Sequence, residues 1–265
     1  MTANDDLQAF YLPRSDGDLD STSATSSPWD ESLQHGGPPA ALLVRAVEAV
    51  RSDPSLQLAR ITADMLGGIP QGRVHVEARV VKPGRRVEMV EATLSVDERP
   101  AVTATAWLIR ATTDATAEHA TPPAPLPPLP ETSMSTFFDG VSPDWVYGRA
   151  IDWRFVEGGY EPGPATVWAR LRVPLVLGEE TSPTQRLLTV ADSTNGLSGP
   201  LPMREWFFIP PTVTATIERA PASEWMLLEA RSTVGLHGIG TAVGQMADER
   251  GHLATITQPL MVAPR

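Results

Sequence analysis

Few side chains in this 265-residue sequence are equipped for chemistry, and their spacing narrows what that chemistry is. Cysteine is absent, which excludes thiolate nucleophiles, disulfides and cysteine-held zinc. The histidines (His35, His75, His119, His237, His252) show no His-x-x-x-His spacing, so no metal centre is expected. There is no Gly-x-Ser-x-Gly elbow, no Walker loop and no Gly-x-Gly-x-x-Gly. Gly235-Leu-His-Gly238-Ile-Gly240 is glycine-rich, but it joins two strands rather than opening a helix, so it is no phosphate cradle. A small set remains. Asp192 precedes Ser-Thr-Asn195-Gly196; a buried aspartate is a candidate base, while the same run also reads as a helix C-terminal turn. Gln258, in a strand, can accept and donate a hydrogen bond without adding charge. His35 stands beside Gly36-Gly37, a pair without side chains whose amides can face a carbonyl oxygen ahead of a helix.

The elements that must position these residues come in two similar sets. Thr62-Ala63 and Thr214-Ala215 are 152 residues apart, as are Glu77-Ala-Arg79 and Glu229-Ala-Arg231. Asp97-Glu-Arg99 matches Asp248-Glu-Arg250 at 151. The hydrophobic pattern keeps this register. Val74, Val76, Ala78 and Val80 alternate with Arg73, His75, Glu77 and Arg79, which predicts a half-buried strand. Strands follow at 86–96 and 101–110 around the turn Asp97–Pro100. The second set predicts strands at 225–233, 239–247 and 252–262, so each half carries an antiparallel meander. Each meander is preceded by one helix. Residues 40–50 (AALLVRAVEAV) follow Pro38-Pro39 and are apolar nearly all round, the mark of a buried helix. The second helix starts at Thr181-Ser-Pro183.

Between the halves, residues 121–130 (TPPAPLPPLP) must run extended, since proline lacks an amide donor; they read as a spacer. Residues 12–30 are polar and read as a loop or mobile surface segment. A chain of 28.5 kDa with 42% hydrophobic and 20% charged residues is globular and can bury a sizeable core. The net charge of −11 leaves no basic footprint for nucleic acid, and Lys82, Arg85 and Arg86 are too few to supply one. No apolar run is long enough to span a membrane, and the start of the chain does not read as a secretory signal, so the expected location is cytoplasmic.

A sheet curled round an apolar helix, present twice, resembles the double hotdog fold. His35-Gly36-Gly37-Pro-Pro-Ala-Ala-Leu-Leu-Val-Arg45 is similar to the glycine pair before the first helix of TesB-like acyl-CoA thioesterases. Ala191-Asp192-Ser-Thr-Asn195-Gly196, Glu224-Trp225, Gly238-Ile-Gly240, Asp248-Glu-Arg-Gly251 and Gln258 follow that family's order. The resemblance covers most of the chain. It implies an α+β double hotdog: two tandem repeats, an N-terminal half at 1–118, a Pro-rich linker at 119–131 and a C-terminal half at 132–265.

The resemblance further implies hydrolysis of an acyl-CoA thioester by water, without a covalent intermediate or a cofactor, in lipid metabolism. Asp192 falls on the family's aspartate and Gln258 on its glutamine, which with a hydroxyl residue hold and activate the water. The hydroxyl position departs from the pattern. Counting back from Arg219-Ala-Pro221 places Pro210 there, which leaves Thr212 or Thr214 as substitutes. His35, Gly36 and Gly37 are the substrate-binding candidates. Pro210 also keeps open a catalytically silent protein that binds acyl-CoA or another apolar ligand. A third reading is a hotdog hydratase or dehydratase. Such enzymes usually pair Asp with His, and no histidine lies near Asp192 in the sequence. Sheet edges need partners, so a homodimer or higher oligomer is expected, with no nucleic-acid or membrane partner.

Overall fold

The computed structural model describes residues 7–112, 119–133, 140–159 and 161–265. In chain order, the first part forms β1 (Tyr11–Pro13), β2 (Leu19–Ser21), β3 (Leu33–Gln34), α1 (Gly37–Val50) and β4 (Leu56–Met65). It continues with β5 (Ile69–Pro70), β6 (Arg73–Lys82), β7 (Val87–Val96) and β8 (Arg99–Arg110). The second part begins with α2 (Val146–Arg149), β9 (Ile151–Glu157), β10 (Ala165–Leu171), α3 (Pro183–Ala191) and α4 (Thr194–Leu197). Then come β11 (Trp206–Ile209), β12 (Thr212–Ile217), β13 (Met226–Val234), β14 (Ile239–Asp248) and β15 (Gly251–Pro264).

The alternating stretches become the antiparallel pairs they predict. β6 pairs with β7 and β7 with β8 in one set; β13 pairs with β14 and β14 with β15 in the other. The turn after β7 is tighter than the sequence suggests: only Asp97 and Glu98 have positive φ, at 47° and 66°, the backbone of a two-residue hairpin. Pro100 therefore lies inside β8, where a register shift between Leu94 and Ser95 accommodates its missing donor.

The two sets meet in one 13-stranded sheet of order β1-β2-β6-β7-β8-β4-β12-β15-β14-β13-β10-β9, with β11 also on β15. The seam is the antiparallel pair β4–β12. There Thr62 faces Thr214 with hydroxyl oxygens 3.0 Å apart, and their separation of 152 residues is the spacing of the repeat. Outward from the seam the order reads β4-β8-β7-β6 on one side and β12-β15-β14-β13 on the other.

Two helices pack together under this sheet. α1 lies on β6, β7, β8 and α3. Leu42 and Leu43 of α1 and Leu187 and Leu188 of α3 are fully buried, each contributing roughly 1.5–3 kcal/mol. α3 starts on a capping box in which Ser182 and Gln185 satisfy each other's backbone. Those two side chains also donate to Glu48 of α1, at 2.9 and 2.7 Å. The other end of the helix pair has the reciprocal arrangement. Asp192, the C-cap of α3, lies against the N-terminus of α1, where the helix dipole favours a carboxylate.

Two expectations change. Residues 12–30 are not a mobile surface segment: they hold β1, β2 and a short 3₁₀ turn, with Ala24 to Ser27 buried. Their hydroxyls find backbone acceptors, such as Thr22 Oγ1 to the Ala9 carbonyl at 2.8 Å, so polarity does not keep them in water. The Pro-rich stretch has neither helix nor strand, but it is more than a spacer. Leu126 packs on the cluster of Trp168, Leu227 and Ala247, and the Pro130 carbonyl accepts from Arg154 Nη1 at 2.8 Å. No helix among the described residues is long and apolar enough to cross a membrane.

Candidate active site

A cavity of about 430 Å³ opens beside the helix pair. Its walls are apolar and aromatic, with Trp29, Met65, Trp145, Trp153, Phe155 and Met203 among them. Its polar lining is Ser27, Gln34, His35, Asp192, Ser193 and Asn195. Such a lining suits an apolar chain with one reactive end.

Asp192 reaches the cavity because α3 stops there. Asp192 is 5% exposed, and its carboxylate has neighbours on three sides. Gln258 Nε2 of β15 donates to Oδ1 at 3.0 Å. His35 Nδ1 lies 3.3 Å from Oδ2. The backbone N–H groups of Gly36 and Gly37 also face the carboxylate and favour its charge. Burial pushes the carboxyl up to about 7, only partly offset by the Gln258 hydrogen bond and the glycine N–H groups. Burial also takes the His35 imidazole down to about 3, so the ring is neutral. An aspartate of this basicity suits proton abstraction near neutral pH.

Gln258 is wholly buried and is not among the residues lining the cavity. Its Oε1 accepts the Asn195 N–H at 3.1 Å, and its Nε2 serves Asp192. Both ends of its amide are thus engaged by α4 and Asp192. Gly36 and Gly37 are required by close approach. A Cβ on Gly37 would stand 2.2 Å from the Thr189 carbonyl oxygen, and one on Gly36 would stand 2.8 Å from Asp192 Oδ2. Their amides point at Asp192 and at His35, whose Nδ1 accepts the Gly37 N–H at 3.1 Å, so they are engaged before any carbonyl arrives.

Thr212 and Thr214 lie outside the cavity lining. Thr212 Oγ1 donates to the Ala63 carbonyl at 3.0 Å, and Thr214 Oγ1 meets Thr62 across the seam. Pro210 and Pro211 do line the cavity, so this part of the wall carries no side-chain hydroxyl. No histidine is near Asp192 in sequence, but His35 meets it in space, because α1 and α3 pack with the N-terminus of one against the C-terminus of the other. The same packing brings in Tyr147, which the sequence does not flag, and gives Asn195 a partner. Tyr147 stacks on His35 with centroids 4.0 Å apart and planes 12° from parallel, and its hydroxyl donates to the Thr189 carbonyl at 2.7 Å. Asn195 Nδ2 donates to the Phe208 carbonyl at 2.9 Å, tying α4 to β11. Among the described residues, no group of three or more His, Cys, Asp or Glu is placed to hold a metal.

Residues 25–109 match the acyl-CoA thioesterase N-terminal domain, and residues 122–262 match the acyl-CoA thioesterase C-terminal domain. Solved structures share the fold. An acyl-CoA thioesterase II, TesB2, from Mycobacterium marinum superimposes with a TM-score of 0.67 at 16% identity, over 96% of this chain and 95% of that one. A candidate thioesterase II from Thermobifida fusca YX gives 0.73 at 17%, over 96% and 95%. A hot dog fold protein of unknown function from Alicyclobacillus acidocaldarius gives 0.69 at 18%, over 94% and 93%. No curated protein matches the chain. With both family models matched over most of its length, the chain belongs to the acyl-CoA thioesterase family and is a thioester hydrolase.

Proposed function

We propose that this chain is a double hotdog enzyme, with halves at 1–118 and 132–265, that hydrolyses an acyl-CoA thioester by direct attack of water. The observation that carries this reading is Asp192: a carboxylate of raised basicity on the wall of an apolar cavity, held in place by Gln258. Ionised Asp192 takes a proton from water as the water oxygen bonds to the acyl carbon, and the carbonyl pair moves onto oxygen. Return of that pair breaks the carbon–sulfur bond, and the leaving thiolate takes the proton from Asp192. Water and thioester thus become acid and thiol, with no acyl-enzyme. The aromatic walls hold the acyl group and exclude bulk water. The chain works as a homodimer or larger assembly, which light scattering on the purified protein checks.

The test is release of free CoA from a panel of acyl-CoAs of graded chain length, with Asp192→Asn beside the parent. Turnover that the substitution abolishes supports the reading. Binding without turnover in the parent removes it. A second reading, addition of water to an enoyl thioester or its reverse, is favoured by the contact of His35 with Asp192. Loss of the enoyl absorbance without release of CoA would select it.

A further inference from the structure

Two hydrogen-bond acceptors face each other in this site. His35 Nδ1 lies 3.3 Å from Asp192 Oδ2, and the same nitrogen accepts the Gly37 N–H at 3.1 Å. A ring nitrogen that accepts a hydrogen bond carries no proton of its own, so the neutral imidazole holds its proton on Nε2. The ring cannot swing away: it is stacked on Tyr147, and its side chain is 10% exposed. Asp192 Oδ1 is engaged by Gln258. A proton arriving on Oδ2 therefore meets the Nδ1 lone pair and shares it with the Gly37 N–H.

We propose that His35 is a positioning residue for the base, its Nδ1 accepting a hydrogen bond from the proton that Asp192 takes from water. The inference rests on the hydrolase reading above. The water O–H bond breaks and the Oδ2–H bond forms; the proton stays on the carboxyl, bonded to Nδ1, until the thiolate takes it. His35 is never charged. Two effects raise the basicity of Asp192: a partner for its acid form and a lone pair facing its charge. The direction agrees with the raised Asp192 carboxyl and the neutral ring. Among the described residues, the titratable groups facing Asp192 are His35, from the segment before α1, and Tyr147 of α2. Gln258 of β15 and Asn195 of α4 are neutral.

The experiment follows the Asp192 carboxyl by carbon-13 NMR in the resting protein, beside the pH profile of kcat/KM. His35→Phe keeps a flat ring against Tyr147 and removes the acceptor; His35→Asn presents an amide oxygen instead. In His35→Phe the carboxyl midpoint and the acid limb of the profile both move down by about one pH unit. In His35→Asn both stay near the parent. An unchanged or higher midpoint in His35→Phe overturns the proposal. So does a nitrogen-15 spectrum of the parent that puts the neutral ring's proton on Nδ1, a measurement that needs no variant to fold. If the parent hydrolyses no thioester while the carboxyl still responds as stated, the hydrolase reading falls and the pairing stands.

Discussion

Gln258 Nε2 donates to Asp192 Oδ1 at 3.0 Å, joining the last strand to the end of a buried helix across 66 residues of sequence. That bond favours the ionised carboxylate, so it lowers the basicity of Asp192 against the upward push of burial. Gln258→Leu therefore moves the acid limb of kcat/KM to higher pH, opposite to His35→Phe. It also leaves the Asn195 N–H without its acceptor, at a cost of about 1–3 kcal/mol in denaturant unfolding.

Asp192→Asn removes the base and lowers kcat by roughly 10²–10⁴. In the parent, the acid limb of kcat/KM is centred at about 7, because only the ionised carboxylate abstracts a proton.

The same substitution stabilises the fold at alkaline pH. The carboxyl has its midpoint at about 7 in the folded protein, against an ordinary value of 3.8. Below the ordinary value it is protonated in both states. Between the two values the unfolded chain releases a proton that the folded chain keeps, so parent stability falls as pH rises. Above the folded midpoint the full penalty applies, about 4 kcal/mol by linkage. Asparagine cannot ionise, and its amide can donate to His35 Nδ1. The difference in Tm between variant and parent should therefore grow from acid to alkaline pH in thermal melts.

The glycine pair separates folding from function. Gly37→Ala drives a Cβ into the Thr189 backbone and should lower stability by about 2 kcal/mol or more. Gly36→Ala meets the mobile end of Met65 and the Asp192 carboxylate. It should cost less in unfolding experiments and more in kcat.

Tyr147→Phe keeps the stack on His35 but removes the donor to the Thr189 carbonyl. Chemical denaturation should show a loss of about 1–2 kcal/mol, with the acid limb of the pH profile close to that of the parent.

Much of the architecture is legible in the order of residues. Val74, Val76, Ala78 and Val80 alternate with charged neighbours, and alternation has one structural meaning when one face of a strand meets a core. The apolar run of α1 can only be buried, and the 152-residue spacing of Thr62 and Thr214 reappears as the strand register at the seam. Local pattern failed at residues 12–30, because satisfaction of hydroxyls by distant carbonyls such as that of Ala9 is a tertiary property. The ordered motifs also marked Asp192, Gln258 and the glycine pair.

What those residues do to one another was decided by packing alone. His35 and Asp192 are 157 positions apart, and nothing in either neighbourhood announces the other. They meet because α1 and α3 cross with unlike ends together. Burial at that crossing, rather than residue type, sets the proton affinity of Asp192, and the fold turns Gln258 toward it. Residue order specifies which faces are apolar; the charge state of a buried group depends on everything that replaces water around it, and only the folded chain assembles that.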